Sequence, residues 1–182
     1  INISGNTRTR DKVIRRQVLV NENDDYSATK IKSSKQRINR RGFFETVEIS
    51  EVPVKNKENY LDLAVEVVEK ATGFFSIAGG YSSTENLLLG IQIQESNLFG
   101  YGKQLSTSVT VGGLSKNFSV DYSDPYFLDT TYTFGFQVFN NEFEYVDFDR
   151  NSYGGRLRFG KAISDWSFVN LRYSCLLYTS DA

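Results

Sequence analysis

The stretch Gln104-Leu105-Ser106-Thr107-Ser108-Val109-Thr110-Val111 decides the fold of this chain, because larger and more apolar side chains alternate with small polar ones. A period of two places successive side chains on opposite faces of a β-strand. Two glycines, Gly112 and Gly113, follow immediately and predict a turn into a neighbouring strand. The stretch is therefore expected to be one strand of an antiparallel sheet with an apolar face and a polar face.

The same alternation recurs on both sides of this stretch, from residue 73 to residue 174. The predicted strands are Phe74–Tyr81, Leu89–Gln94, Gln104–Val111, Phe118–Ser123, Tyr132–Val138, Tyr153–Phe159 and Val169–Tyr173. Short turns at Gly100 and at Ser164-Asp165 contrast with a longer acidic loop expected over Asn140–Asn151. Strands separated by turns of unequal length are typical of an outer-membrane β-barrel. A soluble antiparallel sandwich or barrel alternates in the same way, so the pattern alone leaves both open.

Three charged residues of this region share the less apolar face of their strands. They are Asp121, Arg156 and Arg158. The polar lumen of a membrane barrel accommodates such charges, whereas a soluble barrel fills its interior with apolar side chains. This placement favours the membrane barrel.

Residues 1–70 have a different pattern, which predicts the order β-α-α-β-β. Strands are expected at residues 1–6, at Thr46–Ser50 and at residues 61–68. The first helix is predicted to be capped by Thr9 and to carry Ile14 and Val18 on one face. The second helix is predicted to begin after Ser27, to carry Ile31, Ser34 and Ile38 on one stripe, and to end at Gly42. A small α+β domain is expected here.

Composition excludes several classes of protein. Mean hydropathy is −0.38, and no apolar run approaches the ~18 residues that a spanning helix needs. The 182 residues include no His and one Cys, which leaves a zinc site without its usual ligands and rules out a disulfide framework. The chain lacks Met and opens within an alternating pattern, so we expect it to be a fragment.

Several local strings occur along the chain in an order that resembles one family. They are Ile3–Arg16, Asn39-Arg40-Arg41-Gly42-Phe43-Phe44, Gly79-Gly80-Tyr81-Ser82-Ser83, Asn97-Leu98-Phe99-Gly100-Tyr101-Gly102 and Asp124-Pro125-Tyr126-Phe127-Leu128-Asp129. They are similar to the Omp85 superfamily, and within it to the central subunit of the bacterial outer-membrane β-barrel assembly machine. The resemblance implies that residues 1–70 are the last polypeptide-transport-associated (POTRA) repeat, which lies in the periplasm. It also implies that residues 73–174 are the first strands of a sixteen-stranded barrel in the outer membrane.

The last residues depart from the family pattern. The string Cys175-Leu176-Leu177-Tyr178-Thr179-Ser180-Asp181-Ala182 does not continue the expected alternation. We therefore expect residues 175–182 to be a non-native tail.

The resemblance implies a function without catalysis, cofactor or metal. Such proteins fold and insert other barrels, with partners that are unfolded outer-membrane β-barrel proteins, accessory outer-membrane lipoproteins and the lipid bilayer. The implied strand-pairing edge is Gly73, Phe74, Phe75, Ser76, Ile77, Ala78, Gly79, Gly80 and Tyr81. A docking edge on the POTRA domain is hypothesised at Thr46, Val47, Glu48, Ile49 and Ser50, and Asp124, Pro125, Tyr126 and Phe127 form a structural marker.

Other functions are weighed against this one. A two-partner secretion or TamA-like transporter shares the plan of POTRA domain plus barrel, and a soluble all-β binding module or enzyme is the rival from another class. The basic helices are expected to be solvated faces and not to bind nucleic acid. The acidic pairs Asp24-Asp25 and Asp147-Asp149 lack the spacing of a calcium loop, and nothing places Glu142 and Glu144 around a glycosidase pocket.

Overall fold

The computed structural model describes residues 1–22, 24–54, 60–145, 148–164 and 167–181. The chain divides into two compact units. The first unit comprises Ile1–Thr72 together with Phe99–Gly102, and the second comprises Gly73–Leu98 and Lys103–Ala182. No helix among the described residues combines the length and the apolar character needed to cross a membrane.

The first unit has the predicted order β-α-α-β-β. Its elements are β1 (Asn2–Ser4), α1 (Asp11–Arg15), α2 (Ala28–Arg40), β2 (Phe44–Pro53) and β3 (Leu61–Glu69). The sheet order is β1-β3-β2, with β1 parallel to β3 and β2 antiparallel to β3. The predicted α+β fold of this part of the chain is confirmed.

The core of the first unit lies between the helices and one face of the sheet. Ile14 of α1, Ile38 of α2 and Val65 of β3 are at most 1% exposed. Ser34 is also fully buried, and its hydroxyl donates to the Lys30 carbonyl at 2.7 Å and accepts from the Leu19 N–H at 2.8 Å. The predicted stripe on α2 therefore faces the core, and its one polar member is satisfied.

The helix ends agree with prediction in two places and differ in a third. The Ser27 side chain accepts from the Lys30 N–H and caps α2, and Gly42 has a φ of +72° just after that helix. Thr9 does not cap α1: the capping position is Arg10, with no side-chain cap hydrogen bond, and α1 ends at Arg15 before Val18. The prediction for Thr9 is wrong because Thr9 lies one residue before the capping position, and its side chain and backbone N–H are both hydrogen-bonded to Glu69.

The carboxylate of Glu69, at the end of β3, organises the segment between β1 and α1. It accepts from the Thr7 hydroxyl at 2.9 Å, the Arg8 N–H at 2.8 Å and the Thr9 N–H at 2.6 Å. Burial alone would raise the pKa of Glu69, but hydrogen bonds from Thr9, Arg8 and Thr7 outweigh it and hold that pKa below its ordinary value. The ionised carboxylate thus links the two ends of this unit.

The second unit is one antiparallel sheet in which each strand pairs with its neighbours in sequence. Its strands are β4 (Gly73–Ser82), β5 (Asn86–Leu98), β6 (Lys103–Val111), β7 (Ser115–Asp124), β8 (Tyr132–Glu144), β9 (Asp149–Ser164) and β10 (Ser167–Asp181). The order is β10-β9-β8-β7-β6-β5-β4, and the sheet is not closed among the described residues. The predicted antiparallel barrel strands are confirmed.

Two predicted boundaries in this unit are wrong. The loop expected over Asn140–Asn151 is much shorter, because β8 and β9 remain paired as far as Glu144 opposite Asp149. The last strand does not end at Ser174 but pairs with β9 up to Asp181, and Cys175 and Leu177 extend the row that holds Leu171 and Tyr173. Because strand pairing does not distinguish native from foreign sequence, the non-native origin of residues 175–182 stays a prediction.

Candidate strand-pairing edge and its supporting sheet

The predicted pairing residues form β4, the first strand of the open sheet. β4 is hydrogen-bonded to β5 over its whole length, from Gly73 opposite Glu95 to Ser82 opposite Asn86. On its other side no strand is paired with it among the described residues. An edge strand presents backbone N–H and C=O groups that can pair with another strand. The residues predicted for strand pairing therefore lie where a further strand would add.

The side chains of β4 alternate between two surfaces. Phe75 and Ile77 stand opposite Ile93 and Ile91 of β5 on the apolar face, whereas Ser76 is opposite a glutamine on the polar face. Phe75 is 60% exposed and Ile77 is 66% exposed. A shift of one residue in pairing would exchange the two faces, so this alternation restricts a strand that adds here to registers that differ by two residues.

The glycines near the end of β4 are not required by the packing of the sheet. A Cβ atom at Gly80 would meet nothing within 4 Å, and one at Gly79 would make ordinary contact with Leu89 at 3.6 Å. Neither residue has a left-handed φ. The packing of this sheet therefore does not require glycine at either position.

The opposite, polar face of the sheet holds an ion pair that crosses a whole strand. The Arg158 guanidinium on β9 reaches over β8 to Asp121 on β7, at 2.8 and 2.7 Å from the two carboxylate oxygens. Gly135 of β8 lies under it, and a Cβ atom there would come within 3.0 Å of the Tyr122 carbonyl oxygen and 3.1 Å of the guanidinium. The absence of a side chain at Gly135 thus provides the space that Arg158 occupies.

A second arginine on this face continues the polar network. Arg156 donates to the Gln137 amide oxygen at 2.8 Å and to the Ser174 hydroxyl at 3.3 Å. The three charges predicted to share a face do share one. The contributions of Gly135 and Gln137 to this network were not predicted from the sequence. The only indication was a glycine within an alternating strand, at Gly135.

Two family models match this chain, one in each unit, and residues 71–96 lie between the two matches. The model described as POTRA, surface antigen variable number repeat, matches residues 1–70. The model described as Omp85 superfamily domain matches residues 97–179. The chain belongs to the Omp85 superfamily.

Similar proteins within the Omp85 superfamily carry one recurrent name. The chain is 40% identical over 139 residues to the outer membrane protein assembly factor BamA of Neorickettsia risticii, a match that covers 76% of this chain and 19% of that protein. It is 30% identical over 171 residues to BamA of Nitratidesulfovibrio vulgaris, covering 94% of this chain and 22% of that protein. The chain thus spans about a fifth of the length of these curated relatives.

Solved structures of Omp85 proteins share the fold. BamA from Haemophilus ducreyi lacking POTRA domains 1-3 superimposes with a TM-score of 0.81 at 26% identity, over 98% of this chain and 35% of that one. CdiB from Acinetobacter baumannii superimposes with a TM-score of 0.64 at 16% identity, which shows a common fold only. This chain is part of an outer-membrane protein, with its POTRA domain in the periplasm.

In this Omp85 chain, the hypothesised POTRA docking edge lies in β2, at the edge of the three-stranded sheet. Thr46, Glu48 and Ser50 are exposed, whereas Val47 is 3% exposed and belongs to the core. A partner that adds to this edge would therefore contact the backbone and alternate side chains, with Val47 excluded. The docking role itself stays a prediction.

The marker beginning at Asp124 has a local structural explanation in this Omp85 chain. Asp124 is 4% exposed. Its carboxylate forms a salt bridge with Lys103 at 3.1 Å and accepts a hydrogen bond from the Tyr126 N–H at 3.0 Å. Phe127 packs against Phe134 with ring centroids 4.9 Å apart. The motif thus joins the end of β7 to β6 and to the aromatic cluster at the start of β8. Pro125 lies just after the last residue of β7.

The remaining sequence candidates are engaged in local contacts. Asp24 accepts from Asn21 and Lys30; the Asn21 backbone hydrogen bond is the main cause that lowers the pKa of Asp24. Glu142 accepts from Asn140 at 3.0 Å. Asp147 lies outside the described residues. Among the residues that are described, no three His, Cys, Asp or Glu side chains are grouped as metal ligands would be.

Proposed function

We propose that this chain belongs to the central component of an outer-membrane β-barrel assembly machinery, which folds and inserts barrel proteins by strand pairing at the barrel seam, with β4 as the pairing strand. The observation that carries the proposal is that β4 is the first strand of an Omp85 sheet and, among the described residues, pairs along its whole length with β5 alone. The relatives named BamA are outer membrane protein assembly factors, and the same activity is proposed for the protein that contains this chain.

The physical driving force is the cost of unpaired backbone groups in a bilayer. In hydrocarbon each unsatisfied N–H or C=O costs several kcal/mol, so a free edge and an incoming unfolded strand both gain by pairing. β-Augmentation at β4 would supply main-chain hydrogen bonds that do not depend on the client's sequence. A single edge can therefore serve many outer-membrane β-barrel proteins.

The alternation of β4 would orient each client strand. A strand in register with Phe75 and Ile77 places its own apolar residues on the face that continues through Ile91 and Ile93 of β5. This face is exposed, as a lipid-facing surface requires. Client strands would thus be added with their apolar side chains already towards lipid.

The proposal includes partners but no chemistry. The bilayer contacts the apolar face, and unfolded barrel proteins pair with β4. Accessory outer-membrane lipoproteins are proposed to dock on the POTRA edge through Thr46, Glu48 and Ser50. No catalytic step, cofactor or metal takes part.

Photo-cross-linking in the full-length protein tests the proposal. A photoreactive residue is placed singly at Ser76, Ala78 and Gly80 of β4 and, as a matched control, at Ser108 in the middle of the sheet. The protein is then supplied with a nascent outer-membrane barrel protein in native membranes. We expect cross-links to the client from β4 and none from Ser108, because β6 already has partners on both sides.

Two outcomes would contradict strand pairing at β4. A complete absence of client cross-links along β4 would remove the proposal. Ser76, Ala78, Gly80 and Ser108 all lie on the polar face, so cross-links at Ser108 as strong as those along β4 would instead indicate passage through a lumen, as in a transporter. A docking test at the POTRA edge is independent: a photoreactive residue at Glu48 should capture a lipoprotein partner, and one at the buried Val47 should not.

A further inference from the structure

We propose that Glu85 is a positioning residue for the pairing edge, because its carboxylate fastens the turn after β4 to the turn after β6. This proposal rests on the proposed function, since it concerns how β4 is held for pairing. The contacts lie entirely within the second unit. Glu85 with Gly113, Leu114 and Ser115 is called the Glu85 clasp below.

The clasp consists of three hydrogen bonds between turns that are not adjacent in sequence. The Glu85 carboxylate accepts from the Ser115 hydroxyl at 2.9 Å and from the Leu114 N–H at 3.4 Å. The Glu85 carbonyl accepts from the Gly113 N–H at 2.7 Å. Ser115 is 8% exposed, so its bond to the carboxylate is shielded from water. The turn between β4 and β5 is thereby bound directly to the turn between β6 and β7.

The two glycines of the second turn, Gly112 and Gly113, leave room for this contact. A Cβ atom at Gly112 would collide with the Glu85 carboxylate, and one at Gly113 would collide with the Glu85 backbone. Neither glycine has a left-handed φ, so the turn itself does not require them. Gly112 and Gly113 were predicted only to form a turn. In the structure they also leave the space that Glu85 occupies.

The clasp continues towards the middle of the sheet. The Leu114 carbonyl accepts from the Glu144 N–H at 2.8 Å, which joins the turn after β6 to the end of β8. The outer end of β4 is therefore linked through successive turns to a strand four places away in the sheet. This brace holds the end of β4 from the side on which β4 is paired with β5.

An edge strand with one partner opens at its ends more readily than a central strand. The last two residues of β4, Tyr81 and Ser82, pair only with Leu87 and Asn86. Without the clasp this end would separate from the rest of the sheet, and an incoming strand would find a shortened or shifted template. The clasp thus holds the end of β4 in its pairing with β5, so that an incoming strand meets the full length of β4 in one register.

The test uses the full-length protein in membranes and three variants of the clasp. Glu85→Ala removes the acceptor, and Glu85→Gln keeps a carbonyl oxygen for the same donors. Gly112→Ala leaves residue 85 unchanged but displaces its carboxylate, and it also pushes against the Leu88 side chain. Glu144→Ala is the matched control, because it deletes an exposed carboxylate at the same end and leaves its backbone N–H in place.

Amide exchange and client cross-linking are the two readouts. We expect Glu85→Ala and Gly112→Ala to raise amide exchange at Tyr81 to Leu88 by about tenfold, the effect of losing roughly one hydrogen bond. Client cross-links at Gly80 should fall or shift by two positions, while cross-links at Ser76 persist. Glu85→Gln should restore most of the wild-type pattern, and Glu144→Ala should match wild type.

The outcomes separate this proposal from the proposed function. If the wild-type protein shows no β4 cross-links, strand pairing at β4 fails, whereas the exchange data still report on the clasp. If wild type cross-links normally and both Glu85→Ala and Gly112→Ala keep the same cross-link positions and yields, Glu85 has no positioning role. A uniform loss of folded protein without a change in position would also overturn the proposal, because it would indicate stability alone.

Discussion

The two units of this chain are both built on alternating β-strands, yet they place their apolar side chains in opposite environments. In the first unit, which contains the POTRA domain and is called the POTRA unit below, the apolar rows of β2 and β3 lie under two helices, and Val65 is 0% exposed. In the second unit, called the barrel unit below, the corresponding rows are not covered by helices, and Leu171 is 72% exposed. The same sequence period thus indicates a strand in both units, whereas the surroundings of the apolar face distinguish water-soluble from membrane architecture.

The largest expected effect comes from the POTRA core. Ile38 is 0% exposed, so Ile38→Ala should lower the free energy of unfolding of this unit by about 2–5 kcal/mol. Pulse proteolysis of the full-length protein in urea would measure the loss. Lys35→Ala, on the exposed side of the same helix, is the control and should change stability little. Equal effects of the two substitutions would contradict a helix-covered core.

The second prediction concerns an apolar side chain that faces outward in the second unit. Leu157 lies on the apolar face of β9 and is 45% exposed, so in water its replacement would cost little. In a bilayer Leu157→Arg should cost about 2–4 kcal/mol near the midplane. Urea-dependent folding of the full-length protein into lipid vesicles would measure this cost. Ser106→Arg, on the polar face, is the control, and an equal cost there would contradict the assignment of the faces.

The third prediction concerns the ion pair over Gly135. Gly135→Ala places a methyl group against the Arg158 guanidinium and should cost about 1–3 kcal/mol through overpacking and loss of the bond to Asp121. The same vesicle titration measures it. Gly155→Ala is a suitable comparison, because a Cβ atom there meets its nearest neighbour at 3.9 Å. The idea fails if both substitutions cost the same.

The smallest effect is expected at Glu69. The folded-state pKa of this carboxyl is lowered, so its stabilisation is fully present above the ordinary value of 4.5 and is lost as pH falls through the lower folded pKa. Glu69→Gln should cost about 1 kcal/mol at neutral pH and flatten this acid dependence of POTRA stability. Proteolysis midpoints at pH 7 and pH 4 would measure it. An unchanged pH dependence in the variant would place the acid sensitivity elsewhere.

Local patterns predicted local structure well in both units. Ser27 caps α2 because its side chain binds an N–H three residues away, and each predicted strand of the second unit lies in an alternation visible within about eight residues. Such features depend on short stretches of sequence and on the geometry of the backbone.

Contacts between distant residues were not predicted, for a physical reason. Arg158 and Asp121 are 37 residues apart, and their meeting depends on the registers of two successive strand pairs and on the missing side chain at Gly135. Alternation fixes which face a residue occupies but not which residue lies beside it. For the same reason Thr9 was assigned to a nearby helix although its N–H binds Glu69, 60 residues away.

The parallel pairing of β1 with β3 also sets an order of events during synthesis. Asn2 pairs with Ala64, and Ser4 pairs with Glu66, so the first strand has no sheet partner until nearly the whole unit has crossed into the periplasm. From β5 onward the strands of the second unit have no such delay, since each pairs with the strand just before it. A chain that emerges with its amino terminus first would therefore complete its periplasmic domain only as the first residues of the pairing edge arrive.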